Sequence, residues 1–348
     1  LKRDKSVSNP NDAPASAVIT YVFRKRSATV FSIEKLFDAL SIHVEKSGES
    51  VRRLELPFIS SGIVQVLKNA SFVARSGKKG VLHITGDVHY AGVFCPFTKT
   101  IITVHDCVVL KRGEGVKRLV LWILWFWLPL RLASIVTVIS EQTKTEVLNT
   151  VAIPEEKIRV IPNFVDPALA FSERPFSSTQ PRILHVGTTP NKNLCNVIAA
   201  LRGTPCVLVI VGPLSEAILE CLQDTGVRHE NIVGVGNAAM MSLYRDADII
   251  SFPSTYEGFG MPILEGQAVG RVVLTSDIEP MRSVAGEGGA LLVDPLSVQS
   301  IREGFLALIG DGQLRARLIA AGKENCRRFT LHSVAASYLA LYRGLENR

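Results

Sequence analysis

The sequence predicts an α/β protein of two doubly wound lobes, on three observations. Its 348 residues exceed what one hydrophobic core ordinarily organises, at roughly 100–200 residues per domain. In both halves, short β-rich apolar runs alternate with segments of helical period, the pattern of parallel sheets covered by helices. Between the halves, residues 162–181 (PNFVDPALAFSERPFSSTQP) hold four prolines and no periodicity.

In the first half, strands are predicted at 18–24, 51–57, 81–85, 100–104 and 135–139, with helices at 32–46, 63–75, 116–132 and 141–150. The second half repeats the pattern. Its strands fit at 182–187, 206–211, 231–235, 248–252, 272–276 and 290–293, and its helices at 193–202, 214–224, 238–246, 261–269, 297–309 and 312–327. The expected division is a disordered lead-in at 1–16, a first lobe at 17–163, a linker at 164–181 and a second lobe at 182–330. A final helix at 331–348 has no lobe assigned by pattern, and packing back on the first lobe is one expectation.

Composition narrows the class. Residues 1–16 lack the apolar core of a secretory signal, and the six cysteines form no Cys-x-x-Cys pair, so a reducing, cytoplasmic setting is expected. Leu119–Leu130 (LVLWILWFWLPL) is too short to span a bilayer; a buried helix is the favoured reading, and an interfacial helix with basic flanks the alternative. Residues 1–170 carry 23 Lys and Arg against 15 Asp and Glu, whereas 171–348 carry 16 against 17. A basic first lobe suits an anionic membrane or acceptor, and no nucleic-acid motif accompanies it.

Ligands of doubly wound sheets collect beyond the carboxyl ends of the strands. Three constellations lie there. In Ser251–Gly270 (SFPSTYEGFGMPILEGQAVG), Gly258 and Gly260 flank Phe259 ahead of a helix opening near Pro262, so backbone N–H groups can face a phosphate or sugar oxygen. Glu257 precedes that loop and Glu265 lies about one turn into the helix. Both can accept from vicinal hydroxyls, or they serve only the helix dipole and a solvated face. In His185–Asn193 (HVGTTPNKN), Gly187 ends a strand and Lys192 adds a cation where a helix begins. In ITVHD, His105 and Asp106 end a first-lobe strand. A weaker group, Asp87, His89 and Tyr90 in HITGDVHY, is expected on the acceptor side, or else in the framework.

Residues 253–268 (PSTYEGFGMPILEGQA) resemble the second-lobe motif of the family 4 glycosyltransferases of the GT-B fold, in which two Rossmann-like lobes face each other across a cleft. The resemblance runs from about residue 80 onward. It implies that Glu265 binds the donor ribose, Glu257 the transferred sugar, Lys192 the diphosphate, and His105 the sugar or its leaving phosphate. It further implies a retaining transfer of a hexose-type sugar, from a UDP- or GDP-sugar, to a glycan, lipid-linked or other cell-envelope acceptor, with no cofactor. Two departures stand out. Thr188 and Thr189 occupy the place where the family often has an Arg, and Arg24–Ser32 lacks the usual Gly-Gly loop. A nucleotide-sugar epimerase and a non-catalytic sugar-nucleotide-binding subunit are the alternatives. Asp246-Ala247-Asp248 imitates a metal-binding Asp-x-Asp, but its place between a helix and an apolar strand predicts a structural turn and no metal site.

Overall fold

A computed structural model describes residues 18–25, 32–76, 80–95, 99–108 and 114–346. The expected lead-in at 1–16 and most of the glycine-free stretch after Arg24 lie outside them.

The first lobe is a six-stranded, all-parallel sheet in the order β2-β1-β3-β4-β5-β6. Its strands are β1 (Ile19–Phe23), β2 (Val51–Glu55), β3 (Val81–Ile84), β4 (Lys99–Val104), β5 (Ile135–Val138) and β6 (Ile158–Val160). Side chains alternate across it as a pleated strand requires. Ile19, Tyr21 and Phe23 face the layer formed by α1 (Ser32–Lys46), while Val22 faces that of α2 (Ile63–Ser76) and α5 (Glu141–Thr150). The apolar run predicted as one helix is helical in three parts: α3 (Gly115–Leu121), a π-helical segment Trp122–Trp127, and α4 (Leu128–Leu132). Trp125, Phe126 and Leu130 are buried in the core, whereas Val116 and Leu119 on α3 are exposed. The segment is therefore a core helix at its end and a surface helix at its start. Among the described residues, no helix is long and apolar enough to cross a membrane.

The second lobe is also six-stranded and parallel, in the order β12-β11-β10-β7-β8-β9. Its strands are β7 (Arg182–Val186), β8 (Val207–Val211), β9 (His229–Ile232), β10 (Ile249–Phe252), β11 (Val272–Ser276) and β12 (Leu291–Val293). One face carries α6 (Leu194–Ala200), α7 (Glu216–Thr225), α11 (Val298–Gly310) and α12 (Gly312–Asn325). The other carries α8 (Asn237–Asp246), α9 (Met261–Ala268) and α10 (Met281–Ala285). Edge strand β9 begins two residues before the predicted 231–235. A sheet edge tolerates the polar His229 and Glu230, and Gly234, at φ 71°, lies in the turn beyond it.

The last helix, α13 (Leu331–Glu346), returns to the first lobe and covers β1 and β3. Its Tyr342 hydroxyl bonds His83 Nδ1 at 2.7 Å, and Lys99 Nζ donates to the Leu345 carbonyl at 2.6 Å. The chain thus crosses between lobes twice. The crossings are tied side by side by Val165 N–H donating to the Phe329 carbonyl at 2.9 Å.

The Asp-x-Asp look-alike belongs to this framework. Asp248 is buried at the start of β10, the end remote from the cleft, and accepts from the backbone N–H of Arg182 at 2.8 Å and of Ser177 at 3.2 Å. With Arg271, which donates to the Ser172 and Arg245 carbonyls, it fastens the linker to the sheet.

Candidate functional site

Each sheet reverses its winding once, between β1 and β3 in the first lobe and between β7 and β10 in the second. Flanking helices diverge at such a point, leaving a crevice at the carboxyl ends of the strands. The predicted second-lobe residues follow β7 and β10, on the two sides of that crevice.

The loops after β7 and β10 are laced together. Asn191 Nδ2 donates to the Tyr256 carbonyl at 3.0 Å and to Glu257 Oε1 at 3.3 Å, and Thr255 N–H donates to the Asn191 carbonyl at 2.8 Å. Asn193 adopts a left-handed conformation (φ 64°) and spends its amide on the Pro253 and Pro295 carbonyls, at 2.9 and 2.7 Å. This turn aims Lys192 back across Gly187, where a Cβ would stand 3.0 Å from the lysine chain. Lys192 Nζ lies 2.6 Å from Glu257 Oε1 and 4.6 Å from the Phe252 ring centre. Beneath it His185 is buried, and burial together with the Lys192 charge pushes its imidazole down to about 3. Among the described residues its Nε2 has no hydrogen-bond partner.

Glu265 sits on α9, which Gly260 (φ 121°) starts without any side-chain cap. Gly266 lets α9 lie close on the sheet, since a Cβ there would come within 2.7 Å of Ile250. Burial raises the Glu265 carboxyl above its usual range, while the nearby Lys35 and Lys192 charges pull it down. Phe259 is buried against Phe329, ring centres 5.8 Å apart, so it offers a ligand only its backbone.

The first lobe closes on this loop. A Cβ on Gly258 would meet the His105 carbonyl oxygen at 2.1 Å, so only glycine allows that approach. The Gly258 carbonyl accepts from Ser140 Oγ at 2.8 Å, and the Tyr256 hydroxyl donates to Glu146 Oε2 at 2.8 Å. His105 Nε2–H donates to the Thr85 carbonyl at 2.8 Å, leaving Nδ1 as an acceptor. Burial lowers its pKa first, so the ring is neutral near pH 7. Asp106 caps the following turn by accepting from Val108 N–H at 2.9 Å.

Lys192, Gly187, Glu257, Gly258, Gly260, Glu265 and His105 are thus gathered at the lobe boundary. The Asp87 group is not gathered in the same way. His89 is buried with Nδ1 on the Trp125 carbonyl at 2.7 Å, and Tyr90 is buried with its hydroxyl 2.6 Å from Ser60 Oγ. Their polar atoms serve the core, leaving Asp87 as the partly exposed member. Two participants escaped the sequence reading. Lys35 of α1 donates to Asn237 Oδ1 at 2.5 Å and pairs with Asp166, joining first lobe, linker and second lobe. Arg24, at the end of β1, pairs with the buried Glu34 and acts electrostatically on His105. No local pattern marks either residue; Asn191, in contrast, lay within a turn already noted.

Residues 169–325 match the family described as Glycosyl transferases group 1, and residues 64–169 match Glycosyltransferase Family 4. The two matches adjoin, cover most of the chain, and divide it near the linker. The chain belongs to the family 4 glycosyltransferases. Among curated relatives, it is 29% identical over 196 residues to a phosphatidyl-myo-inositol mannosyltransferase of Mycolicibacterium smegmatis, covering 52% of this chain and 50% of that one. It is 25% identical over 232 residues to O-antigen chain mannosyltransferase B of Escherichia coli, covering 61% of each. The matched stretch thus spans about half to three fifths of these relatives. The fold matches sucrose-phosphate synthase of Thermosynechococcus elongatus, with a TM-score of 0.78 at 18% identity over 95% of this chain and 99% of that one. It also matches Anabaena HepE in complex with UDP and glucose, with a TM-score of 0.73 at 16% identity over 92% and 98%. This family 4 chain therefore has the GT-B architecture.

Proposed function

We propose that the chain transfers a hexose-type sugar from a UDP- or GDP-sugar to a glycan, lipid-linked or other cell-envelope acceptor, with retention of anomeric configuration. The second lobe (182–330) takes the donor, the first (17–163) takes the acceptor, and 164–181 links them. The observation that carries this reading is the convergence of Lys192, Glu257 and Glu265 at the second lobe's switch point, directly against His105 of the first. The names of the mannosyltransferase relatives, and the UDP and glucose bound to the Anabaena neighbour, support the donor class.

Glycosyl transfer builds negative charge on a departing diphosphate and positive charge on the anomeric carbon. Lys192 and the backbone N–H groups of the 258–260 loop receive the first in this reading. Glu265 accepts from the ribose hydroxyls and Glu257 from the transferred sugar, fixing the anomeric carbon near the acceptor. The neutral His105 contributes an acceptor nitrogen at the sugar. No carboxylate is assigned as a covalent nucleophile; the acceptor attacks from the face the diphosphate leaves, and that phosphate takes the proton.

A peripheral contact with an anionic membrane on its cytoplasmic side belongs to the same proposal. Ile59 and Ile63 are 62% and 64% exposed beside Val64 and Leu67, and residues 56–80 contain Lys68, Arg75, Lys78 and Lys79 but no acidic residue. Exposed aliphatic side chains among cations fit anionic lipid.

Incubation with UDP- and GDP-hexoses, with and without lipid-linked acceptors, tests the proposal. Acceptor-dependent product with an α-anomeric coupling from an α-linked donor supports it. Epimerised donor in the acceptor-free tube establishes the epimerase instead, and nucleotide binding without turnover a non-catalytic subunit.

A further inference from the structure

Cys195 and Cys221 face each other on neighbouring helices of the second lobe, Cys195 in the first turn of α6 and Cys221 midway along α7. Both are free thiols and both are partly exposed. Their sulfurs are 2.8 Å apart, and theirs is the one sulfur–sulfur contact among the described residues. That distance is well inside the van der Waals separation of two sulfurs and about 0.8 Å from the bonded length of about 2.05 Å. Thiols gain too little from an S–H···S contact to explain such an approach. Cys95, Cys107 and Cys206, by contrast, are buried.

We propose that Cys195 and Cys221 form a reversible dithiol–disulfide site that staples α6 to α7 while leaving the donor loop in place. The oxidant is a low-molecular-weight disulfide such as oxidised glutathione. A Cys195 or Cys221 thiolate attacks one glutathione sulfur, forming a protein–glutathione disulfide and releasing one glutathione thiolate. The facing thiol, after losing its proton to solvent, attacks the protein sulfur of that mixed disulfide and releases the second glutathione. Two protein thiols are oxidised to one disulfide, and one glutathione disulfide is reduced to two thiols. The second step is intramolecular between touching atoms, so the mixed disulfide does not accumulate.

The position gives the site its consequence. Asn193 stands at the start of α6, its side-chain amide donated to the Pro253 carbonyl, and Lys192 precedes it, so α6 is the support on which the proposed diphosphate cation stands. Because the sulfurs already touch, closing the bond requires less than about 1 Å of movement. The bond also closes a loop between residues 26 apart in sequence, which restricts the unfolded chain and stabilises the folded one. Burial and the neighbouring sulfur push the Cys195 thiol up to about 11, so Cys195 supplies little thiolate at neutral pH and a mildly alkaline buffer favours its attack.

The test uses the full chain, incubated with oxidised glutathione and then freed of it. The expected result is a fall from six titratable thiols to four, a mass lower by two hydrogens, and a peptide map joining Cys195 to Cys221. Dithiothreitol should reverse all three. The melting temperature should rise by several degrees, and affinity for nucleoside diphosphates should change less than two-fold. C195S and C221S should each abolish the mass loss and the stabilisation, holding glutathione as a stable adduct instead. Six thiols remaining, or a disulfide that survives in C195S, overturns the site. A bond that forms but shifts nucleotide affinity ten-fold overturns its character as a staple. The thiol count, mass, peptide map and melting temperature are covalent and thermal readouts, so they stand or fall separately from the assignment of the donor site, on which only the affinity readout rests.

Discussion

Lys192 Nζ and Glu257 Oε1 form an ion pair at 2.6 Å, although the two residues come from loops on opposite sides of the β7/β10 crevice. The pair holds the cation in position and also competes with any diphosphate for it. Glu257→Gln removes the competitor and keeps the shape. The variant should therefore bind a free nucleoside diphosphate as tightly as the parent chain or a few-fold more tightly, while kcat falls at least ~10²-fold through lost sugar contacts. Product-inhibition constants measured beside turnover check both signs.

Gly258 is a point of close backbone approach between the lobes. Gly258→Ala sets a methyl against the His105 carbonyl, whose oxygen lies 2.1 Å from the Cβ position. The clash is relieved by parting the lobes, so kcat/KM should fall by about ten-fold or more, since misplacement of about 1 Å is costly in catalysis. Circular dichroism should show the secondary structure unchanged. Wild-type kcat/KM would mean that this closed arrangement is not the one in which chemistry occurs.

At Glu265 the proposed donor contact and folding stability are linked. Burial raises its folded-state pKa above the unfolded value, so the folded protein holds that proton more tightly, and stability is lost as pH rises through the raised value. Glu265→Gln should melt higher than the parent at pH 8 and match it near pH 4. Its donor KM should rise by roughly 10–100-fold, the range for losing a charge-assisted hydrogen bond. Melting curves at the two pH values and donor kinetics measure the trade.

Three buried histidines set the acid limit. Burial lowers His83 and His185 to about 3 and His89 to about 4, so these rings stay neutral in the folded protein. Unfolded histidines take up protons below about pH 6.5. Stability is full above that pH and falls as pH drops toward 4, each ring contributing up to about 1.4 kcal/mol per pH unit. Denaturant midpoints from pH 7 to 4.5 should decline steadily. His83→Gln, which keeps polar atoms near Tyr342 and Thr103, should flatten that decline even if it lowers stability at pH 7.

Asp248 tests the reading of the Asp-x-Asp look-alike. Asp248→Ala leaves the backbone N–H groups of Ser177 and Arg182 without their acceptor, so it should cost about 2–4 kcal/mol of stability. Activity per folded molecule should persist, and chelation by EDTA should leave the parent enzyme's rate unchanged. Loss of activity to EDTA with rescue by magnesium or manganese would contradict the expectation of metal independence.

What the sequence made legible follows from the range of the forces involved. The alternation in β7–β12 and the Pro-Ser to Glu265 loop are local patterns, and the structure forms them within a residue of the predicted bounds except at β9, which lies two to three residues earlier. β6 and α10 are too short, at three and five residues, to show a period. The return of α13 to the first lobe rests on Tyr342 meeting His83 across 259 positions, and the Lys35–Asn237 bridge spans 202. His89 and Tyr90 look exposed in sequence because they are polar and follow a strand. Partners in distant segments, the Trp125 carbonyl and the Asn69 side chain, draw them inward. Residue type and spacing identify which side chains suit a sugar nucleotide, whereas the folded chain determines which of them meet.

The most direct test of the donor site is calorimetric titration of UDP, GDP and their hexose derivatives into the parent chain, Lys192→Ala and Glu265→Gln. The account predicts that the parent binds at least one of these nucleotides, and that each substitution weakens that binding ten-fold or more without unfolding the protein. Equal affinity in all three proteins would contradict it.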